Sequence, residues 1–326
     1  LCFLMISAIT SFGQGSDPQW VQDYAWGGDS LDVLVDVLEV EDGTSLTLLS
    51  GGHMISPSSS EVSSGSNGSY DFWVIHSDSS GNVLWDVTFG GDSTEFFSQI
   101  VATDDGYLLA GSSISVPSGN KSSGTNGGYD YWIVKIDKNG TKIWDRNYGG
   151  SQDDILLSAF GLNNGNFLLG GNSISNKSGS KSTDSYGGND FWVLVVDASG
   201  EIVWDLTVGG DQEDVLTSLF EDDGVFLGGY SNSDISGTKS DNSYGGYDYW
   251  ILKLDELNGQ VKWDSTYGGA QDDFLDVLLP DVHSNAIIAT GSTSSGSGSG
   301  KSSTTYGASD YWVLKIDSAG AVAWDL

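Results

Sequence analysis

Residues 130–150 read DYWIVKIDKNGTKIWDRNYGG, and closely similar text occurs four more times in this chain of 326 residues. Each copy opens with Asp, an aromatic residue and Trp, and continues to a second Trp followed by Asp. The second tryptophans, at positions 85, 144, 204, 263 and 324, are 59, 60, 59 and 61 residues apart. A fixed period of this length indicates a repeat architecture. The repeated positions are Asp71, Trp73, Trp85, Asp130, Trp132, Trp144, Asp190, Trp192, Trp204, Asp248, Trp250, Trp263, Asp310, Trp312 and Trp324.

Each repeat reads as four short strands. In the third repeat they are predicted at Asp154–Phe160, Asn166–Gly171, Asp190–Asp197 and Ile202–Val208. The segment Asp197–Gly200, between the third and fourth strands, has the composition of a tight turn, with Gly free to adopt positive φ. Similar Gly-bearing turns join the first two strands of other repeats.

The third strand of each repeat is mostly apolar on both faces, with a lysine such as Lys135 as the exception. In the second repeat Trp132, Val134 and Ile136 share one face, and Tyr131 and Ile133 lie on the other. A sheet that is wet on one side would alternate with polar residues, so these sheets are covered on both sides. Four-stranded antiparallel sheets of this kind predict an all-β fold, a β-propeller with five blades present. Tandem immunoglobulin-like domains need about 100 residues each, and β-helix coils are much shorter than this period.

The combined repeat, WD-x-x-[YF]-GG…DG-x-[LF]-L-x-G…S-G-x-K-S…GG-x-D-[YF]-W-[VI]-[LV]-K-[IL]-D, resembles a known family. It is similar to long β-propeller repeats, of about sixty residues, in secreted or surface bacterial proteins associated with type IX secretion. The resemblance extends from about Trp20 to the end of the sequence. It implies a propeller and an extracellular location, and it implies no activity. The Trp-Asp pair also resembles WD40 repeats, but their period is nearer 40–45 residues.

Composition and the first residues point to the same location. Lys and Arg number 12 against 45 Asp and Glu, a formal net charge of -33. This charge repels nucleic acid and anionic membrane surfaces, so neither is an expected partner. Residues 1–15 resemble the apolar core and cleavage zone of a signal peptide without its start. Cys2, the single cysteine, lies in this segment, and no later stretch is apolar enough to predict a transmembrane segment.

The predicted propeller covers residues 20–326. Residues Asp23–Gly28, near the start of the sequence, resemble the fourth strand of a repeat, and so do residues Ala321–Leu326 at its end. A ring sealed by its first strand does not need both, so we expect a fragment of a larger ring, with a closed five-bladed ring as the alternative. The blades are predicted at approximately 27–89, 90–148, 149–208, 209–267 and 268–326.

The two ends of each blade differ in their connections. Strand direction alternates, so the tight turns lie at one end and the Gly-Gly turns and long Ser/Gly-rich loops, such as 112–128 and 292–307, lie at the other. Long loops on a rigid scaffold commonly carry binding sites. We therefore predict that this loop-rich end is the functional face.

Four of these loops carry a lysine nine residues before the Asp of the following strand, and the first repeat has Val62 instead. A lysine–carboxylate pair that ties down the loop is the favoured interpretation. A phosphate-binding loop is excluded, since no strand-to-helix context exists. The lysines are Lys121, Lys181, Lys239 and Lys301.

A carboxylate also follows each Gly-Gly turn by four residues. Ca²⁺ prefers clustered carboxylate oxygens, so a calcium site at this end is one hypothesis. Capping of backbone amides at the strand start is the favoured alternative. The Asp of Asp-aromatic-Trp is likewise expected to accept N–H bonds from its preceding loop, and the tryptophans to pack between blades instead of forming a sugar platform. The candidate metal ligands are Asp32, Glu95, Asp154, Asp214 and Asp273.

Catalytic residues in a repeat protein should lie where the repeats break. The breaks are His53, His76, Arg146 and His283, none with an evident nucleophile or base partner, and we interpret them as surface changes. No catalytic residues and no obligatory cofactor are predicted. We expect a non-catalytic extracellular or cell-surface module that binds a polysaccharide or protein. The alternative is an accessory propeller of a secreted hydrolase or lyase whose catalytic domain lies outside this segment.

Overall fold

The computed structural model describes residues 26–42, 45–57, 62–298 and 300–326, and these form five four-stranded antiparallel sheets. The strand order in every sheet follows the sequence, so each repeat is one sheet, here called a blade. The predicted all-β fold of four-stranded propeller blades is thus confirmed. No helix in the described part of the chain is long and apolar enough to cross a membrane. The predicted signal segment, Trp20 and Cys2 lie outside the described residues.

The strands are numbered in chain order. Blade one contains β1 (Asp32–Asp42), β2 (Ser45–Met54), β3 (Asp71–Asp78) and β4 (Val83–Phe89). Blade two contains β5 (Glu95–Thr103), β6 (Gly106–Ser113), β7 (Asp130–Asp137) and β8 (Lys142–Tyr148). Blade three contains β9 (Asp154–Gly161), β10 (Phe167–Ser173), β11 (Asp190–Val196) and β12 (Ile202–Val208). Blade four contains β13 (Asp214–Glu221), β14 (Val225–Ser231), β15 (Asp248–Leu254) and β16 (Val261–Tyr267). Blade five contains β17 (Asp273–Asp281), β18 (Ala286–Thr293), β19 (Asp310–Asp317) and β20 (Val322–Asp325).

The pattern-based strand limits of blade three differ from the observed ones by at most two residues. The strands are easy to recognise in the sequence because they are apolar and covered on both faces. Every residue of β11, for example, is buried. The turn glycine Gly200 has φ +83°, as the tight turn predicted. A bulge in the first strand was not predicted, and in blade one it lies between Leu34 and Asp36. It shifts the register by one residue and re-aims the side chains that follow.

The two repeated tryptophan motifs are linked by a hydrogen bond within each blade. The indole N–H of Trp192 on β11 donates to Asp205 on β12 at 3.1 Å, and Trp250 donates in the same way to Asp264. A buried indole needs such an acceptor. The Asp of each Trp-Asp therefore accepts a hydrogen bond from the Trp of the preceding strand, which explains why the two motifs recur together.

Two compact units divide the chain. The first ends at Thr125 and also includes Trp132–Asn147, and the second comprises Asn126–Tyr131 and Tyr148–Leu326. Within a unit, adjacent blades pack face to face with their first strands in contact. These contacts join β1 to β5, β9 to β13, and β13 to β17.

The aromatic residue of each Asp-aromatic-Trp packs on the Trp of the next blade. Ring centroids are 4.8 Å apart for Phe72 and Trp132, and 4.5 Å apart for Tyr249 and Trp312. All four of these rings are buried in the apolar core. The prediction that these tryptophans pack between blades is confirmed.

Candidate functional site

The carboxylates proposed as metal ligands cap the Gly-Gly turns at the loop-rich end. Asp154 accepts hydrogen bonds from the Gly150 backbone N–H at 2.6 Å and from the Ser175 hydroxyl at 2.9 Å. Glu95, Asp214 and Asp273 make the same two kinds of bond, and so does Asp32. The favoured interpretation, capping of backbone amides at the strand start, is confirmed.

The Asp of Asp-aromatic-Trp caps the loop before it. Asp248 accepts the backbone N–H of Tyr244 at 2.6 Å, and Asp130 accepts that of Asn126 at 2.6 Å. Asp71, Asp190 and Asp310 accept the equivalent N–H in their own blades. This sequence-based expectation is also confirmed.

The two kinds of carboxylate meet in pairs across the Gly-Gly turn. A Cβ added to Gly268 would collide with Asp248 of blade four and lie 2.8 Å from Asp273 of blade five, so only glycine fits between the two. A Cβ on Gly90 would meet Asp71 and Glu95 in the same way. These side chains are fully buried, and each pair therefore places two acidic groups together in a medium of low polarity.

Burial, with the paired carboxylate as a smaller cause, raises the pKa of the first member in three of these pairs. Burial, with the nearby Glu95 carboxylate as a smaller cause, raises the pKa of Asp71 to about 7. Burial and the Asp273 carboxylate raise the pKa of Asp248 to about 7, and burial with Asp214 raises that of Asp190 to about 6. A protonated carboxyl beside an ionised one avoids the repulsion of two buried charges. The pairs of Asp71 and Asp248 therefore hold a proton up to near neutral pH, and Asp190 releases its proton about one pH unit lower.

The loop lysines lie beside these pairs, over the tryptophan faces. The Lys121 ammonium is 4.9 Å from the Trp132 ring centroid and donates to the Asn147 side chain at 2.7 Å. Lys301 donates to the Ser303 carbonyl at 2.8 Å, and Lys181 to the Thr207 hydroxyl. Burial lowers the pKa of Lys181, while Asp154 and Asp190 oppose the shift.

The lysines do tie down the loops, but the predicted lysine–carboxylate pair needs correction. The ammonium groups of Lys181, Lys239 and Lys301 donate to hydroxyl and carbonyl oxygens. Carboxylates act on the charge of Lys181 and Lys239 from further away. Val62 replaces the lysine in blade one and is fully buried in a cluster with Trp73. An apolar side chain can thus fill the space over the tryptophan.

The structure does not gather the five candidate ligands into one calcium site. In the part of the chain that the structure describes, no three or more His, Cys, Asp or Glu side chains are placed to hold a metal ion. Each candidate already bonds an amide and a hydroxyl, and Glu95, Asp214 and Asp273 each lie beside one other carboxylate. Calcium at such a pair stays a prediction, checked by thermal melting in excess chelator against millimolar Ca²⁺.

Two clusters of aromatic side chains at the loop-rich end were not predicted. In the second unit Tyr230, Tyr247 and Phe274 are in mutual contact, with ring centroids 4.9–5.4 Å apart. All three rings are partly exposed. Burial raises the pKa of Tyr230, and so do Tyr247 and the carboxylates of Asp276 and Glu213, which shows that acidic groups flank this cluster.

The equivalent cluster in the first unit is His53, Tyr70 and Phe96, with centroids 5.3–5.8 Å apart. Its members occupy the same repeat positions, namely the residue before the end of the second strand, the residue before the third strand, and the second residue of the next blade. Burial lowers the pKa of His53, so its ring is neutral at pH 7. The remaining junctions have different residues at these positions, Ser112, Tyr129 and Ile155 in one case and Asn172, Asn189 and Val215 in the other. Comparing repeats at these three positions would have revealed the clusters.

The breaks in the repeat are only in part surface changes. The prediction is wrong for His76, which is buried, bonds the Thr47 hydroxyl at 2.8 Å and contacts Trp85. It is also wrong for His53, a member of the first cluster. Arg146 lies over the Trp144 ring, and His283 is exposed as predicted.

Comparison with known proteins gives weak likenesses. No protein-family model matches the chain. It is 26% identical over 227 residues to regulatory protein FlaEY of Caulobacter vibrioides, covering 64% of this chain and 23% of that protein. The chain thus spans about a quarter of that relative.

Among solved structures, it is similar to the WD40 domain of Neurospora crassa Pan2 (14% identity, 86% of this chain and 61% of that one, TM-score 0.44). It is also similar to Kuenenia stuttgartiensis hydrazine synthase (11% identity, 86% and 62%, TM-score 0.44). A third similarity is to a mutant of Synechocystis apocarotenoid oxygenase (12% identity, 86% and 57%, TM-score 0.44). Likenesses at this level carry no argument about function.

Proposed function

We propose that this propeller is a non-catalytic binding module that works outside the cell and holds its ligand at the loop-rich end. The observation that carries the proposal is the pair of aromatic clusters at equivalent repeat positions. Aromatic rings supply contact area at low entropic cost, and nearby polar groups fix orientation. The carboxylate and lysine positions, by contrast, are occupied in capping the turns and loops.

A polysaccharide is the favoured ligand class. The Tyr230–Tyr247–Phe274 cluster combines apolar ring surface with the flanking carboxylates Glu213 and Asp276, which can accept hydrogen bonds from sugar hydroxyls. The net charge of -33 favours neutral or basic sugars over acidic ones. A protein ligand with exposed basic residues is the other outcome that the same screen can show.

The extracellular setting rests on the signal-like residues 1–15 and on the acidic composition, which suits a secreted protein. The likeness to a protein named as regulatory agrees with a non-catalytic role. Because that relative is about four times longer than the matched part, a second role is also proposed. The propeller would then be an accessory module of a secreted hydrolase or lyase, with catalysis in another domain.

The test is a binding screen of the chain against arrays of neutral, basic and acidic oligosaccharides and of peptides. Tyr247→Ala is expected to weaken binding of any array ligand at least about tenfold, as removal of a central aromatic contact does. Tyr129→Ala is the matched control, since Tyr129 occupies the same repeat position at a junction without a cluster. Equal loss in both variants, or no loss in Tyr247→Ala, would contradict the proposal.

A further inference from the structure

The loop lysine of blade two differs from the equivalent lysines in the group that accepts its hydrogen bond. Lys121 donates from Nζ to Oδ1 of Asn147 at 2.7 Å. In blade three Lys181 donates to the hydroxyl of Thr207, and blade four repeats this arrangement. The acceptor position is a threonine in blades one, three and four. Blade two therefore places a carboxamide where these blades have a hydroxyl.

This exchange changes the chemistry that the lysine can perform. The carbonyl carbon of a carboxamide is an electrophile, and an amine that attacks it can displace ammonia, whereas a threonine hydroxyl offers no such carbon. A lysine is a nucleophile only as the neutral amine, so its ammonium must first lose a proton. The pair Lys121 and Asn147 thus has the two groups that an acyl transfer needs, already in hydrogen-bond contact.

The surroundings of Lys121 favour the neutral amine. The residue is only 3% exposed, and its Nζ lies 4.9 Å from the centroid of the fully buried Trp132 ring. Burial disfavours the charged form of a lysine, and it lowers the pKa of the equivalent Lys181. The exclusion of water from such a site also protects a new amide from hydrolysis.

A carboxyl group that can accept the proton occupies a second position at which blade two breaks the repeat. Among the carboxylates, Asp154 acts most strongly on the charge of Lys181, and Asp214 acts most strongly on that of Lys239. Glu95 occupies this position in blade two, whereas the other four blades have aspartate there. Its side chain is one methylene longer than aspartate and is fully buried.

We propose that Lys121 and Asn147 form an intramolecular isopeptide bond in the folded chain. Glu95 accepts a proton from the Lys121 ammonium, and the neutral amine attacks Cγ of Asn147. The bond from Cγ to Nδ2 then breaks, and the leaving nitrogen takes one proton from the attacking amine and one from Glu95. One amide bond forms, one breaks and one ammonium ion is released, so atoms and charge balance without any further reactant.

The bond joins the loop between β6 and β7 to strand β8. Its two residues are 26 positions apart in the sequence. A covalent link of this kind restricts the unfolded chain and so stabilises the folded one. Wild type should therefore unfold at a higher urea concentration than a variant that cannot form the bond.

The test is mass spectrometry of the full chain. Wild type is expected to be lighter than its sequence by the mass of one ammonia molecule, and a proteolytic digest should contain a branched peptide that joins Lys121 to Asn147. Asn147→Thr introduces the residue of blades one, three and four, so it should fold and keep its full mass. Lys121→Met should also keep its full mass, and the apolar Val62 at this position in blade one shows that such a residue fits.

Glu95→Gln tests the proton transfer separately from the fold. Glutamine still offers an oxygen to the Gly91 backbone N–H but cannot take a proton, so the branched peptide should form at least about a hundredfold more slowly. The fraction of linked chain is measured directly after purification and during incubation, and far-UV circular dichroism checks that the sheets are kept. Formation at the wild-type rate would overturn the role of Glu95.

A second route to the loss of ammonia is distinguished by the same variants. An asparagine that precedes glycine, as in Asn126-Gly127 and Asn139-Gly140, can cyclise onto the next backbone nitrogen. That product would appear equally in Asn147→Thr and would hydrolyse at mildly alkaline pH, whereas the isopeptide bond persists. Wild type with its full mass, or an equal loss of ammonia in Asn147→Thr, would overturn the proposal.

Discussion

At the loop-rich end, residues that are adjacent in sequence differ in burial and in how regularly they are repeated. A carboxylate occupies the positions of Asp248 and Asp273 in every blade, and these two are buried and bonded to backbone amides. Their neighbours Tyr247 and Phe274 vary between blades and are partly exposed. Successive residues of a strand point to opposite faces, so one step along the chain separates the two sets. The repeated set builds each blade and the variable set distinguishes one junction from another. In a repeat protein, repetition marks structure and its interruption marks candidate function.

The largest expected effect is on stability, from removing a repeated carboxyl. Asp248→Ala leaves the partly buried backbone N–H of Tyr244 without its acceptor and empties a buried site, which should lower the free energy of unfolding by about 2–3 kcal/mol. Tyr247→Ala, one residue away, removes partly exposed ring contacts and should cost about 1 kcal/mol. Urea unfolding of both variants measures the difference. Equal costs would remove the distinction between the two sets.

The next effect is on the pH dependence of stability. The folded-state pKa values of Asp71, Asp190 and Asp248 are raised to about 7, 6 and 7, so the folded chain binds more protons than the unfolded chain above pH 4. Their contribution is fully present below the unfolded pKa and is lost as pH rises through 6 to 7. The free energy of unfolding, measured by urea denaturation, should therefore fall between pH 5 and pH 8. The expected fall is on the order of 1 kcal/mol for each of these three carboxyls.

Asp248→Asn should flatten this fall, because the amide stays uncharged at every pH. Below pH 4, a further decrease in pH should lower the stability of the folded chain. Although burial opposes it, hydrogen bonds from Ser302 and Ser303 lower the pKa of Asp325 to about 2, and its contribution is lost as pH falls through that value. Stability should therefore be greatest near pH 4–5. A midpoint that rises steadily to pH 8 would contradict the shared-proton description.

The smallest effect concerns a loop lysine. Lys181→Met keeps apolar contact with the Trp192 face, as Val62 fills the same position beside Trp73. It should cost little at pH 5, where Asp190 holds its proton. At pH 8 the loss should reach about 1 kcal/mol, because Asp154 and Asp190 then lose a nearby positive charge. Urea midpoints at the two pH values measure it, and an equal cost at both would show that only packing matters.

Much of the fold could be predicted from the sequence because it depends on local patterns. The four strands of blade three, including β12 at Ile202–Val208, follow from apolar runs and Gly-bearing turns. The cap by each Asp at a strand start also spans few residues. These interactions recur five times, so chance agreement is small.

The carboxyl pairs could not be predicted, and the clusters were missed, because both join residues of successive blades. Asp71 meets Glu95, and His53 meets Phe96, only after two blades pack together. The lysine partners depend on which oxygen a flexible side chain reaches, and the sequence offered only carboxylates as obvious candidates. The bulge in each first strand has no evident signal in the alternation of side chains.

We claim that, of two neighbouring residues, Asp248 stabilises the fold and Tyr247 binds the ligand. One titration tests this claim most directly. Wild type, Tyr247→Ala and Asp248→Asn would be titrated side by side on the oligosaccharide and peptide arrays at pH 5, where Asp248 is protonated and the amide replaces it closely. We predict that Asp248→Asn retains the wild-type ligand and affinity, while Tyr247→Ala loses at least about tenfold. Loss of binding in Asp248→Asn with full binding in Tyr247→Ala would contradict the claim.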